Sequence, residues 1–242
     1  MKIYALHGFL GRTDDWKDLF SGESFEKDLC LHDLFNSYAI ASLDRWADEF
    51  NQHVSMDKSE CRILMGYSLG GRLALHALLK QPTLWHGAII ISAHPGLIGV
   101  NERQERRVQD DVWAQRFGSG AWNEVIEAWN QQSAFKSDGF FFERKESDYN
   151  RAVLAKVLRS WSLAEQQNLQ PLLAQLNLPV LWIAGANDKT YLTVSEKVSL
   201  KHPQSKKVFM QDAGHRLPWE QPEHFKKEMK KFLNDIDKFG VR

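Results

Sequence analysis

Ser68, Asp188 and His215 are three residues of this chain whose types and order could together make a nucleophile or a strong base. A serine hydroxyl at its ordinary acidity is inert, so an imidazole must take its proton and a carboxylate must hold that ring in one tautomer. Each of the three falls at a turn. Ser68 is the centre of Gly66-Tyr67-Ser68-Leu69-Gly70-Gly71-Arg72, where the short apolar run 62–65 stops and a helical pattern over 69–80 begins almost at once. Glycines on both sides of the serine allow a bend so sharp that side chains there would strike neighbouring backbone. Asp188 follows the apolar run 179–185, and His215 lies in Asp212-Ala213-Gly214-His215, between the last expected strand and the last expected helix. His7 precedes Gly8 in the first turn and is expected to hold that loop rather than to act as the base.

The elements that must carry these residues form a βα rhythm. Strands are expected at 2–6, 38–43, 62–65, 87–92, 179–185 and 207–210, the inner ones being continuous apolar runs of the kind buried on both faces of a parallel sheet. Helices are expected from Thr13, after Ser42 with Trp46, Ala47, Phe50 and Val54 on one face, at 69–80 before Pro82, and at 222–238. Such alternation implies a parallel sheet, right-handed crossovers and a site at the carboxyl ends of the strands. The backbone N–H groups of Phe9, in the turn after the first strand, and of Leu69, at a helix start, are expected to serve as an oxyanion hole. Between 96 and 166 the rhythm stops. Helical patterns at 101–117, 121–131 and 149–160 surround a phenylalanine-rich stretch, 135–146. The expected organisation is an α/β core made of residues 1–95 and 167–242, with 96–166 inserted as a helical lid.

Lysine plus arginine equals aspartate plus glutamate, 31 against 31, so no global field draws the chain to nucleic acid or to a membrane surface. No apolar run approaches a membrane span. The first residues pass straight into a strand and suggest no signal peptide. Cys30 and Cys61 have neither metal-type nor redox-type spacing, which suggests reduced thiols in a cytoplasmic protein; the sequence as a whole implies no metal and no organic cofactor. The basic residues are unevenly chosen: 96–166 holds seven arginines and three lysines, the rest of the chain six and fifteen. An arginine fork grips a carboxylate through two hydrogen bonds, so the insertion is expected to meet a small anionic substrate. Nothing in the sequence specifies an oligomeric state.

The order Ser68, Asp188, His215 is that of the α/β-hydrolases. The segments LHGFLGRTDDW, GYSLGGR, AHPGL followed by ERQERRVQDDVWAQRF, EAWNQQ and AGHRLPWEQP resemble the MenH family, the α/β-hydrolase-fold synthases of 2-succinyl-6-hydroxy-2,4-cyclohexadiene-1-carboxylate in menaquinone biosynthesis. The resemblance runs from Leu6 to about Gln221. It implies a lyase that removes a proton from 2-succinyl-5-enolpyruvyl-6-hydroxy-3-cyclohexene-1-carboxylate and eliminates pyruvate, with Ser68 as base and no acyl-enzyme. It also implies substrate contacts at Tyr67, Arg72, Arg106 and Trp129. For the family's third arginine, Arg144 is the nearest match, after a small insertion, and Arg151 a poorer one. The chain departs from the family at Asn130, where a tyrosine is usual, and at Ala-Ser-Leu-Asp-Arg-Trp, where the family has Pro-Gly-His-Gly. The same triad would equally serve a carboxylesterase or thioesterase forming an acyl-enzyme, and a ligand-binding member of the fold would leave it unused. Arg72 together with Arg106 separates these readings, because a neutral acyl chain would leave two guanidinium groups against apolar carbon.

Overall fold

A computed structural model describes residues 1–35 and 40–240, the side chains of 237–240 excepted. Six strands form one all-parallel sheet in the order β2-β1-β3-β4-β5-β6: β1 (Lys2–Leu6), β2 (Leu29–His32), β3 (Arg62–Tyr67), β4 (Gly87–Ile91), β5 (Val180–Gly185) and β6 (Lys206–Met210). Period-two alternation sorts each inner strand's side chains between two cores. Tyr4, Leu6, Leu64, Ala88, Ile90, Val180 and Trp182 face one core, and Ile3, Ala5, Ile63, Met65, Ile89, Ile91, Leu181 and Ile183 face the other. Both faces are therefore covered, as a parallel sheet requires.

The first core is closed by α2 (Leu43–Ser55) and α3 (Leu69–Lys80), through Trp46, Phe50, Leu73 and Ala77. Ser42 starts α2 by accepting the Arg45 N–H at 3.3 Å. The second core is closed by α1 (Thr13–Leu19) and α10 (Pro222–Gly240), through Trp16, Phe225, Met229 and Phe232. Between β4 and β5 the chain leaves the sheet to form α4 (Val100–Ser119), α5 (Trp122–Asn130) and α6 (Arg151–Ser160), followed by the single turn α7 (Gln170–Leu173). These helices have an apolar cluster of their own, in which Ala114, Phe117, Trp122, Val125, Leu154 and Leu158 pack together. After β5 come α8 (Lys189–Lys197), β6 and the short α9 (Leu217–Glu220).

One expected strand is corrected. The second strand is Leu29–His32, not 38–43. Tyr38 and Ala39 lie outside the described residues, 40–42 form no strand, and Leu43 is already helical because Ser42 is its cap. The real strand sits at the sheet edge with every residue only half-buried. Its four residues, set between Asp28 and Asp33, lack the continuous apolar signal of an inner strand.

The bend between β3 and α3 is the tightest joint in the sheet. Ser68 takes φ 54° and ψ −111°, a conformation costing about 1–3 kcal/mol for a residue with a side chain. A Cβ at Gly66 would run into the carbonyl of Gly70, and one at Gly70 into the carbonyls of Leu6 and His7. Gly118, inside α4, has only the Ala155 Cβ within reach, at 3.9 Å. Gly70→Ala is therefore expected to lose about 3 kcal/mol or more in chemical denaturation. Gly118→Ala is expected to gain up to about 1 kcal/mol. A Gly70→Ala protein as stable as the parent would refute the steric account of the bend.

Candidate active site

The carboxyl ends of β3, β5 and β6 bring the three expected residues together. His215 Nε2 lies 2.9 Å from Ser68 Oγ, and His215 Nδ1 lies 2.6 Å from Asp188 Oδ2. Asp188 and His215 are almost wholly buried. Asp188 caps α8, its Oδ1 accepting the Tyr191 N–H at 3.1 Å, so one oxygen is fixed by backbone and the other is left for the imidazole. The His215 ring is boxed by Tyr191, Phe135 and Tyr67, with centroids 4.4, 5.1 and 5.5 Å away. Ser92 Oγ donates to the His215 carbonyl at 2.9 Å. Such a chain can pass a proton from a serine hydroxyl to an imidazole while the carboxylate supports the positive ring.

His7 takes no part in that chain. Its Nε2 accepts the Leu34 N–H at 3.0 Å, which puts its proton on Nδ1, 2.8 Å from the Gly8 carbonyl. It therefore pins the turn that carries Phe9. Gly8 lets this turn approach, since a Cβ there would lie 2.8 Å from the Tyr67 ring and 3.4 Å from Ser68 Cβ. Leu69 is the first residue of α3, where helix N–H groups are unpaired and the helix dipole is positive. Among the described residues no hydrogen bond uses the N–H of Phe9 or of Leu69.

Ser68 opens onto two lobes of one cleft, both of which touch Phe9, Trp129 and Phe135. The larger, of about 970 Å³, holds Arg72, Arg106, Asp110, Tyr191 and His215. Arg72 is buried, yet its hydrogen bonds go to neutral acceptors, Gln166 Oε1 at 3.2 Å and the Trp161 carbonyl. Burial, with repulsion from Arg106 added, pulls this guanidinium down to about 10, which still leaves it charged at neutral pH. Arg106 meets both oxygens of Asp110 through Nε alone, at 2.9 Å each, so its two terminal nitrogens are not used in that pair. Ser162 Oγ holds Asp110 in turn at 2.7 Å. His94 sits alongside, brought down to about 4 by burial and then by Arg72 and Arg106, and so is neutral.

The smaller lobe, of about 590 Å³, holds Tyr67, Asn130, Arg144 and Arg216. Arg144, expected as a ligand, is in the cleft but already grips Asp15 with two bonds of 2.9 and 2.7 Å, over the face of Phe142. Arg151 is outside both lobes: it ties the carbonyls of Phe117 and Gly120 and the carboxylate of Glu146. Trp129 is a wall shared by the lobes, its ring 4.9 Å from that of Phe9. Several residues of the site carry no local sequence signal. Asp138, in the loop after α5, accepts the His215 N–H at 2.7 Å on one oxygen and Arg216 Nη1 at 3.1 Å on the other. Gln166 braces Arg72. Arg216 alone could have been noticed in the sequence, as the residue next to the histidine. Among the described residues no cluster of three or more His, Cys, Asp or Glu side chains could hold a metal ion, and no helix is long and apolar enough to cross a membrane.

An all-parallel sheet, a serine on a strained strand-to-helix bend, and an aspartate and a histidine delivered by later loops define an α/β-hydrolase. The sequence model of the alpha/beta hydrolase family matches residues 3–225. A 2-succinyl-6-hydroxy-2,4-cyclohexadiene-1-carboxylate synthase of Serratia proteamaculans is 30% identical over 239 residues, covering 94% of this chain and 91% of that protein. The chain belongs to the alpha/beta hydrolase family and, within it, to the family of these synthases, MenH. In fold it is similar to MenH from S. aureus, at 22% identity with a TM-score of 0.87 over 98% of this chain and 94% of that one. It is also similar to a thermophilic esterase from Thermogutta terrifontis, at 21% identity with a TM-score of 0.70 over 98% and 90%.

Burial pushes the Asp138 carboxyl up to about 6, against the opposing pull of His215 and Arg216. The folded state thus binds this proton more readily than the unfolded chain does. The resulting penalty on folding is present above about pH 6 and fades as the pH falls toward the ordinary aspartate value. The Tm of the parent, measured against that of Asp138→Asn, should therefore rise between pH 7 and pH 4. A gap that stays constant would mean that Asp138 does not titrate in that window.

Proposed function

We propose that this protein is a lyase of menaquinone biosynthesis that eliminates pyruvate from 2-succinyl-5-enolpyruvyl-6-hydroxy-3-cyclohexene-1-carboxylate. The observation that carries the reading is the pair Arg72 and Arg106 in the lobe beside Ser68. A buried guanidinium bonded only to neutral acceptors, next to another with its terminal nitrogens unspent, is costly unless an anion completes it. A substrate bearing several carboxylates does so, and a neutral acyl chain does not. The names of the sequence relatives support the same reading.

In this mechanism His215, held by Asp188, takes the Ser68 proton, and Ser68 Oγ removes a proton from the carbon next to a substrate carbonyl. The N–H groups of Phe9 and Leu69 receive the charge that develops on that carbonyl oxygen. The electron pair of the broken C–H bond forms one ring double bond, the pair of the existing ring double bond shifts one position toward the carbon that bears the enolpyruvyl oxygen and forms the second, and the C–O bond to the enolpyruvyl group breaks. The enolpyruvate leaves with that oxygen, gains a proton on carbon and becomes pyruvate. No acyl-enzyme forms. Tyr67 and Trp129 shape the wall against which the ring is placed. The helical segment 96–166 acts as the lid of a core made of 1–95 and 167–242, bringing Arg106 and Trp129 over the serine. Work in the reducing cytoplasm belongs to the same reading, since Cys30 and Cys61 have neither metal-type nor redox-type spacing.

The alternative, an esterase or thioesterase, uses the same triad for acyl transfer, and the esterase neighbour in fold keeps it in view. Pyruvate release and hydrolysis of a short p-nitrophenyl ester, measured side by side, separate the two. Fast pyruvate release that falls by about a thousandfold or more in Ser68→Ala is expected. Arg106→Ala should raise KM and lower kcat on the anionic substrate, reducing kcat/KM by about 10- to 100-fold, while a small neutral ester is turned over nearly as before. Vigorous ester hydrolysis without pyruvate would overturn the lyase. Equal losses on both substrates in Arg106→Ala would remove the argument from the arginines.

A further inference from the structure

The smaller lobe, on the side of Ser68 that lacks Arg72 and Arg106, holds its two guanidinium groups differently. Arg144 gives both terminal nitrogens to Asp15, so its charge is answered within the protein. Arg216 spends Nη1 on Asp138 and on the Phe140 carbonyl, while its Nη2 donates to a neutral acceptor, Asn130 Oδ1, at 2.6 Å. Asp138 is itself divided, since its other oxygen holds the His215 N–H. The aromatic rings of Phe135 and Phe141, 4.4 and 5.2 Å from the guanidinium carbon, pack against Arg216 and favour polar contact along its edge.

The contact with Arg216 also orients Asn130. An arginine only donates, so the amide must turn its oxygen toward Arg216 and present its NH2 group elsewhere. Among the described residues no hydrogen bond uses Asn130 Nδ2, and Asn130 lines the lobe together with Arg216 and Ser68. A cationic edge beside amide N–H donors, in a cleft walled by Trp129, Phe135 and Trp219, has the chemistry of a carboxylate receptor.

We propose that Arg216 and Asn130 together receive a second substrate carboxylate on the side of Ser68 opposite Arg72 and Arg106, and so determine specificity for a substrate charged at both ends. Resting on the lyase reading, the carboxylate is that of the three-carbon enolpyruvyl arm, which suits the smaller lobe. The substrate then lies across Ser68 with an anion anchored at each end, and the departing pyruvate keeps its carboxylate on Arg216 and Asn130 until release. The family tyrosine replaced by Asn130 and the third arginine without a clean match become one change. Arg216 supplies the charge, and the short amide leaves room for it and points donors at the same anion.

Pyruvate binding to the free enzyme tests this directly, read by quenching of tryptophan fluorescence, since Trp129 and Trp219 line the lobe. The dissociation constant should rise about tenfold or more in Arg216→Gln, recover in part in Arg216→Lys, rise about threefold or more in Asn130→Leu, and move less than about twofold in Arg106→Ala. Should Arg216→Gln fail to fold, Asn130→Leu carries the test, because it removes the amide donors from a partly exposed position. Pyruvate affinity indifferent to both Arg216 and Asn130 in folded variants overturns the assignment. Parent enzyme that releases no pyruvate from the enolpyruvyl substrate, yet binds pyruvate in an Arg216-dependent way, would sink the lyase reading and leave the carboxylate receptor standing.

Discussion

The bend at Ser68 is the constraint on which the rest of the geometry depends. A serine at φ 54° is tolerated because Gly66 and Gly70, two positions to either side, carry no Cβ and because Ser68 N–H remains tied to the Ile91 carbonyl at 2.8 Å. That tie continues the β3–β4 ladder into the turn, so the strained residue is held by the most deeply buried part of the sheet. Rigidity is what makes the strain useful. A hydroxyl on a flexible loop would find the imidazole only part of the time, whereas here its direction is fixed before any ligand arrives.

A second constraint comes from charge in a poorly solvated cleft. The lobes lining Ser68 hold Arg72 and Arg106 on one side and Arg144 and Arg216 on the other, and such a collection would be destabilising without counter-charge. Asp15, Asp110 and Asp138 supply it, but to different degrees. Asp15 takes both ends of Arg144, Asp110 takes only the Nε of Arg106, and Asp138 shares itself between Arg216 and a backbone N–H. Arg72 has hydrogen-bonding partners without charge. The counter-charge is thus unevenly divided among the four guanidinium groups.

What was legible in the sequence follows from how local the signal is. The inner strands announce themselves as short apolar runs, the bend as glycines around a serine, and Asp188 and His215 as residues in the turns after later strands. All of these are statements about a few neighbouring residues. The edge strand Leu29–His32 was missed because its apolar run, Leu29 to Leu31, is only three residues long and is bounded by Asp28 and by His32 and Asp33. Arg106 and Asp110 stand at i,i+4 on one helix, but the partners of Arg144 and Arg216 were not readable at all. Asp15 meets Arg144 across 129 residues of chain, and Asp138 meets Arg216 across 78. No spacing rule spans such distances, so an arginine already answered and one still open look alike until the chain is folded. Arg144, with both terminal nitrogens on Asp15, and Arg216, with its Nη2 on a neutral amide, are the case in point.

The bond from Asp138 to the His215 backbone bears on how separable the parts of this molecule are. Helical insertions over a common sheet invite the idea that they are interchangeable caps, each choosing a substrate for a self-sufficient engine beneath. Here the insertion reaches down and holds the main chain of the histidine itself, while Gly139 N–H and Gly214 N–H both rest on Glu220 nearby. Exchanging this segment for one from another hydrolase would remove the Asp138 carboxylate that holds the His215 main chain. Cap and engine in this chain have to be inherited, or redesigned, as one piece.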